Sequence, residues 1–118
     1  MTYSLATITA SELNRVMADA IAKGREESNT AEQHWYPCGF AWLGIKMRKN
    51  ARLAKTLIGL GFRWNDYEKS YQTSMYNEIT SIEGMWQSMD YRERILNAVR
   101  LHLKENGLPE FYVATRID

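Results

Sequence analysis

The sequence contains one cysteine, two prolines and two histidines, and it has no apolar run near the ~20 residues that a membrane helix needs. The lone cysteine, Cys38, excludes a disulfide scaffold. So few thiols and imidazoles also argue against a zinc site, which needs three or four ligands. The start of the chain lacks the basic residues and apolar core of a secretory signal. We therefore expect an intracellular globular protein that has no metal and no cofactor and does not enter a membrane.

What is present is typical of one folded domain. The 118 residues are 45% hydrophobic and 25% charged, and no Gly/Ser-rich linker divides them. The sequence predicts a single domain over 1–118, with an N-terminal arm and loop in 1–36 and a core in 38–118. In the arm, Tyr3–Ile8 has the composition of a short strand, and Ser11 is a plausible N-cap for an amphipathic helix over 11–24.

The core has a strand and helix order that indicates an α+β fold. The patterns predict, in order, a strand over 38–47, a helix capped by Asn50, strands over 62–64 and 69–76, a helix starting near Ser88 or Asp90, and a strand over 110–117. This βαββαβ order is that of a ferredoxin-like sandwich. Its two helices would cover one face of the sheet. We expect the N-terminal helix to pack on the other face, within the chain or in a homodimer.

Positive charge is concentrated in the middle of the chain, where residues 36–75 have seven basic and two acidic side chains. Such a segment can attract a phosphate backbone. The side chains predicted to contact phosphate are Lys46, Arg48, Lys49, Arg52, Lys55 and Arg63. The alternative is an ordinary solvated surface whose charge is balanced by acidic neighbours.

Aromatic side chains are too numerous for so small a core, since the chain has four tryptophans and seven tyrosines. Some should therefore lie on the surface and contact a partner, although tryptophans also cover small apolar clusters. The aromatic contact candidates, which lie in predicted loops or beside turns, are Trp35, Tyr36, Trp64, Tyr67 and Trp86.

The first core strand also suggests a mode of binding. Phe40, Trp42 and Lys46 alternate onto one side of it, and single-stranded nucleic acids bind such sheets by stacking bases on rings beside basic groups. The RNA-recognition signature on the third strand is absent, because KSYQTSMY does not match it. A Phe/Trp pair on a central strand is also common in cores.

Catalytic constellations are weak. Cys38 and His34 could form a nucleophile and base, but a cysteine at the start of a buried strand usually acts as a small hydrophobe. His102 lies on the inner side of the last helix, where a hydrogen-bonded structural histidine is more common. Gly59 and Gly61 end a helix, whereas phosphate-binding loops open one. We assign no catalytic residue.

Three short motifs resemble those of a group of small hypothetical proteins from tailed phages. They are Cys-Gly-Phe-Ala-Trp at 38–42, Gln-Ser-Met at 87–89, and Thr-Arg-Ile-Asp at 115–118 in place of that group's Ser-Arg-Met-Asp. The resemblance implies a phage origin and the cytoplasm of an infected bacterium, and it implies no activity. The terminal Arg116 and Asp118 could form an ion pair or present both charges to a ligand.

Together these features favour a small non-catalytic accessory protein that binds a macromolecule through its basic, aromatic middle. Nucleic acid is the preferred partner. The alternative is an inhibitor of a host defence or transcription protein, in which the aromatic side chains would be the main contacts. An enzyme acting on a small substrate is a third, weaker hypothesis.

Overall fold

The computed structural model describes residues 2–30, 39–73 and 89–117. Its elements in chain order are α1 (Ala10–Thr30), β1 (Gly39–Lys46), α2 (Ala54–Gly59), β2 (Phe62–Asn65), β3 (Ser70–Thr73), α3 (Met89–Glu105) and β4 (Phe111–Ile117). The strands form one sheet in the order β2-β3-β1-β4, and all neighbours are antiparallel. The predicted α+β architecture with a four-stranded antiparallel sheet is therefore confirmed.

Alternation along β1 divides the sheet into two faces. Ala41, Leu43 and Ile45 are buried in the hydrophobic core, whereas Trp42 is half-buried and Lys46 is exposed on the opposite side. Helix α3 packs on β1 and β4, and its buried residues, such as Ile95 and Val99, belong to the same core. We call the side of the sheet that faces the helices the helix face, and the other side, which includes Trp42 and Lys46, the open face.

Helix α1 lies elsewhere than predicted. Its buried stripe, which includes Leu13, Val16 and Met17, packs chiefly on α3 and shares the core on the helix face. The expectation that it covers the open face is therefore wrong. The stripe is buried within its own chain because α3 has an apolar surface left over after packing on β1 and β4, and α1 covers that surface.

The start of α1 also differs from the prediction. Thr9, and not Ser11, caps the helix: the backbone N–H of Thr9 donates to Glu12 Oε1 at 3.0 Å, and the backbone N–H of Glu12 donates to Thr9 Oγ1 at 3.1 Å. Tyr3–Ile8 is not a strand, because the segment folds into turns. Its Tyr3 N–H donates instead to the Asn106 carbonyl at 2.7 Å.

Helix α2 is shorter than predicted, because turns occupy the residues between Asn50 and Leu53. Leu53 precedes the helix without a side-chain cap, and Leu57 is buried as expected. The spacing of Leu53, Leu57 and Ile58 in the sequence predicts that all three lie inside, but Ile58 is 48% exposed. A helix of six residues has room for only one buried stripe, and Ile58 falls outside it.

The sequence Asn-Gly-Leu-Pro at 106–109 predicts the end of the last helix, and α3 ends just before it, at Glu105. Gly107 has φ +91°, the Leu108 N–H donates to the Leu103 carbonyl at 2.9 Å, and the Gly107 N–H donates to the Lys104 carbonyl at 3.1 Å. This is a Schellman end, in which a glycine in the left-handed region satisfies the last carbonyls. The two predicted caps, Ser88 and the side chain of Asp90, lie outside the described part of the chain.

Candidate nucleic-acid interface on the open face

The open face has no helix over it among the helices that the structure describes, since α1 packs on α3 and α2, α3 packs on β1 and β4, and α2 contacts β2. Strand pairing fixes which side chains share this face. Trp42 lies opposite Ala114, Gly44 lies between Gln72 and Tyr112, and Lys46 lies opposite Ser70. The predicted arrangement of Trp42 and Lys46 on one side of β1 therefore places both on a face where side chains can meet a ligand. The side chain of Phe40 lies outside the description.

The side chain of Tyr112 covers Gly44 in the middle of this face. A Cβ on Gly44 would lie 2.5 Å from Tyr112 Cζ and 2.6 Å from its Oη, so a side chain at this position would force the ring to move. The Tyr112 hydroxyl donates to Ser70 Oγ at 3.1 Å and accepts from Gln72 Nε2 at 3.3 Å. The ring is thereby fixed at the centre of the open face.

Polar side chains next to Tyr112 are linked in the same way. Asn65 Nδ2 donates to Gln72 Oε1 at 3.1 Å, and Gln72 Nε2 also donates to Glu68 Oε2 at 3.3 Å. These bonds connect β2, β3 and the turn between them. The amides are therefore pre-ordered on the surface, which reduces the entropy lost when a ligand binds.

A groove of about 580 Å³ crosses this face. The side chains that give it its chemistry are Trp42, Asn65, Tyr67, Glu68, Gln72 and Arg116. Trp42 Nε1 is buried and has no hydrogen-bond partner within the described parts of the chain. The groove thus combines an indole, a phenol, two amides, one carboxylate and one guanidinium.

The turn between β2 and β3 holds Tyr67 at the rim of the groove. Glu68 N donates to Asn65 Oδ1 at 2.9 Å, and Asp66 Oδ1 accepts from Lys69 Nζ at 3.1 Å and from Trp64 Nε1 at 3.3 Å. The bond from Lys69, followed by that from Trp64, lowers the pKa of Asp66. Tyr67 itself is 95% exposed, as expected for an aromatic contact residue.

Three of the six predicted phosphate-contact residues lie together. Lys46 ends β1, and Arg48 and Lys49 follow it; all three are exposed, and their side chains have no hydrogen-bond or salt-bridge partner within the part of the chain described. The hydroxyl of Tyr71 donates to the Lys49 carbonyl, which fixes this loop beside β3. The loop therefore lies at the same end of the sheet as the β2–β3 turn.

The other three predicted residues are arranged differently. Arg52 donates from Nη1 to the Ile8 carbonyl at 2.6 Å and from Nη2 to the Leu5 carbonyl at 3.1 Å, so its guanidinium holds the N-terminal segment. Arg63, on the edge strand, donates to the carbonyls of Phe62 and Ile58. Lys55 is exposed on α2. The six side chains therefore do not form a single patch.

The aromatic candidates are also divided. Trp64 lies on the helix face, half-buried, with its ring 5.1 Å from that of Tyr71, so it is placed for packing more than for stacking with a ligand. The remaining three, Trp35, Tyr36 and Trp86, lie outside the described residues, as do His34 and Cys38.

Sequence reasoning missed Gln72, Tyr112 and Glu68. A signal for Tyr112 exists in the alternation of β4, where Phe111 and Val113 face the core and Tyr112 and Arg116 face the other way. The link to Gly44 depends on strand register, which this alternation alone does not fix.

Groups that would indicate other chemistry are scarce in the described ranges. No cluster of three or more histidine, cysteine or acidic side chains could hold a metal ion there. His102 is half-buried on α3 with Nε2 3.4 Å from Asn106 Nδ2. None of the helices that the structure describes combines the length and hydrophobicity needed to cross a bilayer.

Comparison with known proteins finds no matching family model, no matching curated protein and no matching solved structure. The open face and its groove are therefore the features of the molecule that bear on its function.

Proposed function

We propose that this protein is a small phage-type accessory protein of the bacterial cytoplasm that binds single-stranded nucleic acid on a ferredoxin-like fold. The strand order β2-β3-β1-β4, read together with the βαββαβ order of the elements after residue 39, supports the fold. One observation supports the function most: the open face, free of described helices, presents Trp42 and, four residues further along the same strand, Lys46 at the start of the basic loop.

The mechanism divides the ligand between rings and cations. Bases stack on the indole of Trp42 and on the exposed ring of Tyr67, because every base has a π-face. Lys46, Arg48 and Lys49 hold phosphates at the end of β1, where none of their side chains forms a salt bridge within the described ranges, although the charge of Lys49 acts on the nearby Asp66 carboxylate. Arg52 and Arg63 contribute little, since their guanidinium groups already donate to backbone carbonyls.

The test is the salt dependence of binding to a fluorescein-labelled dT12 oligonucleotide, measured by anisotropy between 25 and 300 mM NaCl. Each phosphate neutralised on a single strand contributes a slope of about −0.7 in log Kobs against log salt. Three contacts therefore predict a slope of about −2 for the wild-type protein. We expect the triple variant Lys46→Ala, Arg48→Ala, Lys49→Ala to bind weakly, with a slope near zero.

A matched control removes the same charge elsewhere. Arg15→Ala, Lys23→Ala and Lys104→Ala together delete three exposed cations on α1 and α3. This variant should keep most of the wild-type slope. A wild-type slope near zero would overturn the proposal, and equal losses in the two triple variants would show that net charge, not the basic loop, determines binding.

A further inference from the structure

The groove on the open face has an acceptor group that phosphate binding does not explain. Glu68 lines the groove, and its Oε2 accepts from Gln72 Nε2, which turns the carboxylate toward β3. Its Oε1 has no hydrogen-bond partner among the described residues. A carboxylate repels the phosphate backbone, so its position in this groove calls for a ligand group that donates hydrogen bonds.

The opposite part of the groove has the complementary charge. Arg116 lies on β4, two strands from β3 in the sheet order, and it lines the same groove. Its guanidinium has no hydrogen-bond or ion-pair partner within the part of the chain described. The ring of Trp42 lines the groove as well, and it belongs to β1, the strand between β3 and β4. A ligand that fits has donors at one end, a flat ring in the middle and acceptors or negative charge at the other end.

Among the four bases, guanine meets the first requirement best. Its Watson–Crick edge presents two adjacent donors, N1–H and the N2 amino group, which match the two oxygens of a carboxylate. Adenine and cytosine place an acceptor nitrogen beside their amino donor, and thymine or uracil places its single N–H between two carbonyls. Single-stranded nucleic acids expose these edges to the protein.

We propose that the groove binds one unpaired guanine, with its Watson–Crick edge on the Glu68 carboxylate, its ring on Trp42 below the Tyr67 phenol, and its phosphate or O6/N7 edge toward Arg116. The inference rests on the proposed nucleic-acid function and names the base that the open face prefers. Because the two amides are already hydrogen-bonded to each other and to Glu68, the carboxylate is held in place before the base arrives.

The experiment compares 12-mer oligonucleotides of dT that contain one central substitution. The central base is guanine, inosine, adenine or cytosine, and dT12 is the reference. We expect the guanine oligonucleotide to bind about ten-fold more tightly than dT12, as a bidentate contact allows. Inosine, which lacks the N2 amino group, should lose most of that gain.

Two matched variants locate the preference. Glu68→Gln replaces one carboxylate oxygen by an amino donor that opposes the donors of guanine, so the preference should fall below two-fold while binding to dT12 persists. Glu110→Gln removes an exposed carboxylate that precedes β4 and is absent from the groove lining, and it should retain the preference. A preference that survives Glu68→Gln would overturn the inference.

Calorimetry with GMP, IMP and AMP separates the two proposals. Salt-dependent binding to every oligonucleotide without a guanine preference refutes the inference and keeps the proposed function. Binding of GMP over IMP that needs Glu68, with no binding of any oligonucleotide, keeps the guanine groove and refutes the proposed function. If neither oligonucleotides nor GMP bind, both proposals fail.

Discussion

Gly107 determines how the chain enters β4. It adopts φ +91° at the end of α3, and a Cβ at this position would lie 1.9 Å from the Tyr3 carbonyl oxygen. The position therefore excludes a side chain twice, through its left-handed backbone and through the N-terminal segment packed on it. Gly59, the last residue of α2, has no atom within 4 Å of the Cβ that would be added.

Gly107 and Gly59 can therefore be compared by the same substitution to alanine, with Gly59 as the control. We expect Gly107→Ala to lower the free energy of unfolding by about 2 kcal/mol or more, because the strained backbone and the contact with Tyr3 both oppose the methyl group. Gly59→Ala should leave stability unchanged or raise it by up to about 1 kcal/mol. Urea unfolding followed by circular dichroism measures both changes. Equal effects of the two substitutions would contradict this reading of Gly107.

At the scale of an element, the capping box at the start of α1 links sequence and structure. Sequence reasoning chose Ser11 as the cap, although Thr9 followed three residues later by Glu12 is the stronger signature. The backbone N–H of Thr9, and then the Thr9 side chain, lowers the pKa of Glu12 from its ordinary 4.5. A lowered folded pKa stabilises the ionised form, so its contribution is complete above the unfolded pKa and is lost as the pH falls through the folded pKa.

The capping box therefore predicts a pH-dependent difference between two proteins. The wild-type protein should be more stable than Glu12→Gln at pH 7, and this difference should shrink as the pH falls below 4.5, the ordinary pKa of the group, and Glu12 becomes protonated in the folded protein. Thr9→Ala should lower stability by about 1 kcal/mol at pH 7. Urea unfolding at pH 3 to 7 gives both results. A wild-type advantage of constant size down to pH 3 would argue against the box.

The end of α1 is an example of an element boundary that the sequence pattern does not predict. It ended the first helix at residue 24, because the polar residues 25–30 have no apolar period, whereas α1 continues to Thr30. In the part of α1 after residue 24, Glu27 Oε1 accepts a hydrogen bond from Arg94 Nη2 on α3 at 3.0 Å. Such a contact joins residues 67 positions apart, so local pattern does not reveal it.

For the whole molecule, the order of the core elements and the alternation of β1 were predicted from sequence, and the location of α1 was not. An apolar stripe shows that a helix must be covered, but it does not name the surface that covers it. The candidate site shows the same limit. Positive charge at Arg52 and Arg63 is visible in sequence. The carbonyls that accept their hydrogen bonds, such as that of Ile8 for Arg52 and that of Ile58 in α2 for Arg63, are known only from the fold.

Because α1 shares the core with α3, a substitution that weakens the packing between them should destabilise the whole protein. Met17 is fully buried, so Met17→Ala should lower the free energy of unfolding by about 2–5 kcal/mol. Helical circular dichroism and tryptophan fluorescence should then shift to the same lower midpoint. Asn14→Ala, on the exposed side of α1, should change stability by less than about 0.5 kcal/mol. Helical signal lost ahead of fluorescence would show instead that α1 is a separate arm.

The close contact between the Tyr112 ring and Gly44 limits which residues of the open face can be changed. Most positions of the open face can exchange side chains without disturbing the helices, since those pack on the other side of the sheet. Gly44 and Tyr112 are different, because a Cβ on Gly44 would overlap the Tyr112 ring in its present position. A library that randomises the groove to bind new ligands should therefore keep Gly44 and Tyr112 unchanged. Substitutions that change the ligand preference should occur at the other positions of the open face.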